Sequence, residues 1–209
     1  MKWSRYLQVL SLLSVVLCTS ACASHPSIKH VPPEQIRNHI QSLGVVPTSH
    51  VIIVDTDKQE LYLLKNNIVT QVYTVSTSKR GIGQKINTFK TPRGLHRINE
   101  KIGDGIPPYG IFHRRRFTRV WEPRPRHQHY KDYVSTRILR LEGLQHGVNR
   151  GKNPLGQLVD TERRAVYIHG TTMEWKLGFP STKGCVHMSA KDVIDLFDRV
   201  PIGTLVWIY

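Results

Sequence analysis

Two short segments hold the side chains suited to covalent chemistry: Tyr167-Ile168-His169-Gly170-Thr171 and Ser181-Thr182-Lys183-Gly184-Cys185-Val186-His187-Met188. A cysteine attacks as its thiolate, and near neutral pH a free thiol is mostly protonated. It therefore needs a base close in space, normally an imidazole. His169 ends an apolar run and Cys185 follows sixteen residues later, so a strand end and the loop beyond it would let the two face each other. Gly184 would admit a substrate close to the backbone and free amides for an oxyanion hole. A helix opening just after this segment would add its dipole to the lowering of the thiol pKa. His187 is a rival base: two residues from Cys185 in extended chain, it would share a face with it.

The other two cysteines lie in a targeting segment. Lys2 and Arg5 precede an apolar run from Leu7 through Cys18, and small residues follow from Thr19 to Ala23. This is the build of a secretory signal, with an apolar run too short for a permanent span. Ala21-Cys22-Ala23 fits ordinary cleavage. Ser20-Ala21-Cys22 also resembles the end of a bacterial lipoprotein box, with Thr19 in place of the usual aliphatic residue, and the favoured reading makes Cys22 a lipidated N terminus held at a membrane. On either reading the protein is exported, to the periplasm or cell envelope. Cys185 is then the one thiol expected in the folded domain, in a compartment where thiols normally pair.

The net charge of +15 would suggest nucleic acid in a cytosolic protein. Export sets nucleic acid aside in favour of acidic cell-wall polymers, their peptide carboxylates and anionic membrane surfaces. The densest positive stretch is Arg114-Arg115-Arg116 with Arg119, Arg124 and Arg126.

The elements that must position the two segments can be read from periodicity. Residues 1–22 are the signal and 23–47 a tether with a short helix, Ile36, Ile40 and Leu43 sharing one face and Gly44 stopping it. From residue 48 the pattern becomes β. Val51–Val54, Leu61–Leu64 and Ile68–Ser76 read as a three-stranded antiparallel meander, with Asn66-Asn67 as a turn. Gly94–Ile98 resumes a strand. Residues 99–160 are rich in Gly, Pro and Arg with weak periodicity, an irregular insertion of the kind that serves as a lid, holding one strand at Leu139–Leu141. Ala165–His169 is a strand. Ser189 and Asp192 form a capping-box pattern for a helix carrying Val193, Leu196, Phe197 and Val200, ended by Pro201, and Thr204–Tyr209 is a last strand.

The two reactive segments together resemble the signature of the L,D-transpeptidases, the YkuD-type catalytic domains. That pattern is a His-Gly at a strand end, about fifteen residues, then a Ser-His-Gly-Cys run. The meander, the Thr91-Pro92-Arg93-Gly94 turn, the Arg137–Gly151 stretch and the closing helix and strand are similar as well, so the resemblance covers roughly residues 48–209. It implies a mainly β fold, a YkuD-like β-sandwich with a short helix after the catalytic loop. It implies Cys185 as nucleophile, His169 as general base and acid, the Gly170 carbonyl orienting the imidazole, and amides near Gly184 and Cys185 as the oxyanion hole. Three positions depart from the pattern. Thr182 stands for serine, Lys183 for the histidine two before the cysteine, and His187 for the arginine two after it; all three are candidates for contact with substrate.

The implied function is peptidoglycan L,D-transpeptidation, through a cysteine thioester formed with a stem-peptide donor and passed to an amine. The alternatives are an L,D-carboxypeptidase with water as acceptor, or a non-catalytic basic wall-binding module. Partners would be peptidoglycan stem peptides, an envelope protein as acceptor, and a membrane if Cys22 is acylated. No cofactor is expected. No metal is expected either: His127-Gln128-His129 lacks a carboxylate or third ligand at zinc spacing.

Overall fold

The computed structural model describes residues 33–46, 48–122, 124–128 and 131–209. The expected signal segment and Cys22 lie outside these. Mainly β architecture is what the chain adopts, with ten strands and two α-helices among the described residues. Helix α1 (Pro33–Ser42) precedes β1 (His50–Asp55), β2 (Glu60–Lys65) and β3 (Ile68–Thr74), which form the expected antiparallel meander. Asn66 and Asn67 both sit in the left-handed region, at φ 51° and 67°, the backbone that a two-residue hairpin turn with the sheet's twist requires.

The next strands are β4 (Gly94–Ile102), β5 (Gly110–His113), β6 (Arg116–Val120) and β7 (Val134–Gly143). They are followed by β8 (Tyr167–Thr171), β9 (Val186–Met188), helix α2 (Ala190–Arg199) and β10 (Leu205–Ile208). One hydrogen-bonded network joins every strand. The last strand, β10, inserts between β1 and β4, parallel to β1. Strand β7 is the hub: β4 and the β5–β6 hairpin pair with it, and β8 runs antiparallel to it. Strand β9 then adds in parallel to β8.

Two apolar clusters fix this arrangement. The larger gathers Ile52, Leu61, Leu63 and Val206 with Ile168, Val186, Met188 and the buried stripe of α2, so both ends of the sheet face a common interior. The sheet curls enough that Ser76, just past β3, makes both backbone hydrogen bonds with His187 of β9, at 3.0 and 2.8 Å. The smaller cluster lies on the other face, where Ile36 and Ile40 of α1 pack on Ile53, Tyr62, Leu64, Leu95 and Leu205. Leu43, expected on the same helical face, is instead partly exposed at 38% because the helix has ended before it.

The stretch expected to be an irregular lid is more ordered than its composition suggests. The β5–β6 hairpin turns at Arg114 and Arg115, with φ 48° and 66°, the geometry that glycine or asparagine normally supplies. Strand β7 is ten residues long rather than three. Arg137 ties it to the loop before β5, its Nη1 donating to the Ile106 carbonyl at 2.6 Å.

Candidate active site

His169 is the third residue of β8, and its ring is buried. Its Nδ1 lies 2.9 Å from the Gly170 carbonyl oxygen. A carbonyl only accepts, so Nδ1 carries the proton and Nε2 keeps its lone pair. Gly170 is held to glycine by packing: a Cβ there would lie 2.8 Å from the Ser135 carbonyl oxygen and 3.0 Å from the Thr136 Cβ. Both belong to an irregular stretch of β7, where Thr136 has φ 68° and the register shifts.

Cys185 sits just before β9, half-buried, and lines a cleft of about 490 Å³ together with His169 and His187. It also lines a second cleft of about 160 Å³ with Phe89, Arg164 and Ala165, so the thiol stands in the wall between two spaces. The sulfur donates to the Ala165 carbonyl at 3.7 Å rather than to the imidazole. Ala165 is itself left-handed, at φ 55°. Burial pushes the Cys185 thiol up to about 11, against the opposing pull of a Tyr167 backbone hydrogen bond and the Arg164 charge. Burial, then the charge of His187, pushes the His169 imidazole down to about 3. Both shifts favour the uncharged thiol and imidazole over a thiolate–imidazolium pair.

The loop before Cys185 is braced by Thr182. Its buried hydroxyl donates to the Cys185 carbonyl at 2.7 Å and accepts from the Gly184 amide at 3.1 Å. The Thr182 hydroxyl is thus engaged within the loop while the residue lines the cleft, and the Gly184 amide is hydrogen-bonded to it. Gly184 has φ 122°, and a Cβ there would lie 3.1 Å from the Lys90 carbonyl oxygen, so glycine is required by backbone shape. The expected helix dipole is also displaced. Ser189 caps α2, accepting from the Asp192 amide at 3.0 Å, but β9 separates Cys185 from the helix by roughly 10 Å of strand. A helix dipole falls off within about a turn.

His187 pairs directly with His169 across the parallel β8–β9 ladder, ring centroids 4.5 Å apart. Its Nδ1 lies 3.3 Å from Asp132 Oδ2. Asp132 precedes β7, and its other oxygen accepts from the Thr171 hydroxyl at 2.6 Å and the Thr172 hydroxyl at 3.5 Å. Burial alone would raise this carboxyl. The hydrogen bond and charge of His187, with Thr171, hold it at about 2 instead.

A model of the L,D-transpeptidase catalytic domain, YkuD, matches residues 49–208. The chain belongs to this family. Among L,D-transpeptidase relatives, a 90-residue stretch is 33% identical to the Escherichia coli K12 protein named "Probable L,D-transpeptidase ErfK/SrfK", covering 43% of this chain and 27% of that one. The protein of the same name from Salmonella typhimurium is 38% identical over 56 residues, 27% of this chain and 18% of the relative. The match thus spans under a third of either relative's length. Among solved structures, an L,D-transpeptidase from Mycobacterium smegmatis aligns with a TM-score of 0.46 at 17% identity, over 77% of this chain and 58% of that one. One from Xylanimonas cellulosilytica aligns with a TM-score of 0.44 at 18% identity, over 82% and 68%.

Within this L,D-transpeptidase domain the three departures occupy different settings. Thr182 is buried in the loop, and Lys183 is exposed on the rim of both clefts. His187 lies inside the larger cleft against Asp132. Sequence reasoning missed Asp132 and Arg164. Arg164 donates to the carbonyls of Gly83 at 3.0 Å, Gln84 at 2.9 Å and Lys90, pinning the 83–90 loop beside the thiol. Neither has a local signal, since each acts on residues distant in sequence. Among the described residues no His, Cys, Asp and Glu group is placed to hold a metal ion, and no helix is long and apolar enough to cross a membrane. His127 lies in a single exposed 3-10 turn, and His129 is outside the described residues.

Proposed function

We propose that this protein is an exported peptidoglycan L,D-transpeptidase with Cys185 as nucleophile and His169 as the base. The observation that carries this is the shared cleft: a thiol and a buried imidazole face one space, and the imidazole's Nδ1 bond to Gly170 leaves Nε2 free to accept a proton. Cys185 sulfur attacks the carbonyl of the residue preceding the terminal D-alanine of a stem peptide, and its proton passes to His169 Nε2. The peptide C–N bond breaks, His169 returns that proton to the leaving amine, and a thioester remains. An amine acceptor then loses a proton to His169 and attacks the thioester, and the cysteine leaves as the thiol. The two clefts that meet at Cys185 suit this order, one admitting donor and the other acceptor.

Asp132 and His187 support the same step. The imidazolium that forms on His169 gains from the Asp132 charge, and His187 holds that carboxylate in place. His187 therefore serves as a positioning residue, its Nδ1 turned to Asp132. Lys183 on the rim contributes a cation to incoming carboxylates, and Thr182 and Gly184 shape the loop. The oxyanion falls to backbone amides other than that of Gly184. Residues 1–22 would direct export, and Cys22 would carry a lipid.

Muropeptide mass analysis of cells expressing the wild type or Cys185→Ala tests the reading. Crosslinks between third residues that vanish in the variant are the expected result. Tripeptides in their place would mean that water is the acceptor, and identical profiles would overturn peptidoglycan transpeptidation.

A further inference from the structure

The basic stretch of the sequence plays no part in the chemistry above, yet the fold gathers part of it into a second cleft. This space, about 380 Å³, lies along the end of β6 and the segment leading to β7 and is lined by Arg119, Arg124, Lys131, Trp121 and Tyr133, with Glu122 its one acidic residue. Lys131 and Tyr133 line the Cys185 cleft as well, so the two spaces adjoin. The Arg119 guanidinium and the Lys131 ammonium both approach the Tyr133 ring, at 6.0 and 5.3 Å from its centroid. Among the described residues neither has a carboxylate within salt-bridge distance. Like charges gathered around one small cleft repel, and an anion bound in it would offset that repulsion. The same sign continues along the channel, where Lys79, Lys176 and Lys183 line the Cys185 cleft. The one acid of that cleft, Asp132, is already held by His187 and Thr171.

We propose that this basic cleft is an anion subsite beside the Cys185 cleft, binding a carboxylate of the donor stem peptide remote from the bond that Cys185 attacks. Arg119 and Lys131 make charge-assisted hydrogen bonds to that carboxylate, and Tyr133 supports the peptide between the subsite and the thiol. This rests on the acyl-donor reading above. A single exposed ion pair changes affinity by up to about fivefold, and two cations converging on one carboxylate by about tenfold.

The test is calorimetric titration of the full-length Cys185→Ala protein, which binds without reacting. The probes are a stem tetrapeptide with free carboxylates and the same peptide with its internal carboxylates converted to amides, its terminal carboxylate left free. The free peptide should bind about tenfold more tightly. Adding Arg119→Gln and Lys131→Gln should remove that preference while leaving the amidated peptide's affinity unchanged. Both residues are exposed, so the fold is retained, as circular dichroism would verify. Equal affinity for the two peptides, a preference that survives in the variant, or no binding of either peptide would overturn the subsite. A preference for the free peptide, combined with no acyl adduct on the wild-type protein by mass spectrometry, would overturn the acyl-donor reading and leave the subsite standing.

Discussion

The resting state of Cys185 can be tested by titrating its reactivity. Burial raises the thiol from 9.0 to about 11, which lowers its thiolate fraction near neutral pH by about a hundredfold. A thiolate of higher pKa is intrinsically more nucleophilic, by about half as many log units. The net expectation is alkylation by iodoacetamide about tenfold slower than at an exposed thiol. The rate should rise about tenfold per pH unit from pH 6 to pH 9 without levelling, because His169 is lowered to about 3 and does not exchange a proton with the thiol in that range. Mass mapping of the peptide that contains Cys185 separates this signal from Cys18 and Cys22. A plateau below pH 8, or a rate above that of an exposed thiol, would mean a preformed thiolate–imidazolium pair and refute the neutral resting state. On the neutral reading, proton transfer to His169 accompanies attack, and a substrate carbonyl in the cleft is needed before the thiol becomes a nucleophile.

Two further outcomes follow from the same geometry. Thr182→Ser keeps the hydroxyl that braces the loop and should leave stability and acylation near wild type. Thr182→Val strands the Gly184 amide and Cys185 carbonyl, costing about 1–3 kcal/mol in urea unfolding and slowing acylation at least tenfold; a valine variant acylated at the wild-type rate would show that the brace is unimportant. The fold should also be acid-labile. His96, fully buried between the Gly94 carbonyl and Thr161, is lowered by burial to about 4, and His169 is lowered to about 3. The unfolded chain takes up these protons from about pH 6.5 downward while the folded state does not, so stability falls as pH falls below 6.5. Asp132, held at about 2, adds to the loss below about pH 4. The urea midpoint should drop between pH 7.5 and 4.5 by the equivalent of about 5 kcal/mol, roughly half as much in His96→Gln; an unchanged midpoint in the wild type would contradict the assigned neutral histidines.

Much of the fold was legible because its cues are local. The meander showed as β-branched runs around Asn66-Asn67, and α2 showed as a cap and an apolar stripe between Ser189 and Pro201. The β5–β6 hairpin was invisible because Arg114-Arg115 carries no turn signal, and the three residues of β9 are too few for a period. Most of β7 was missed for another reason. Its polar positions, Ser135, Thr136 and Arg137, are buried by neighbours that the sequence does not display.

The same division holds at the site. Residue types and spacing marked Cys185, His169 and Gly184 as candidates, since a thiol, an imidazole and a tight backbone position leave a pattern within twenty residues, and the family resemblance added Gly170. What surrounds them was decided by the tertiary fold. The curl of the sheet brings Ser76 against His187, the β8–β9 register sets His187 beside His169, and the chain entering β7 delivers Asp132 to His187. Whether the thiol rests charged or neutral depends on how much water reaches it and which charges lie near. Those are properties of packed neighbours drawn from across the chain, and a one-dimensional spacing does not contain them.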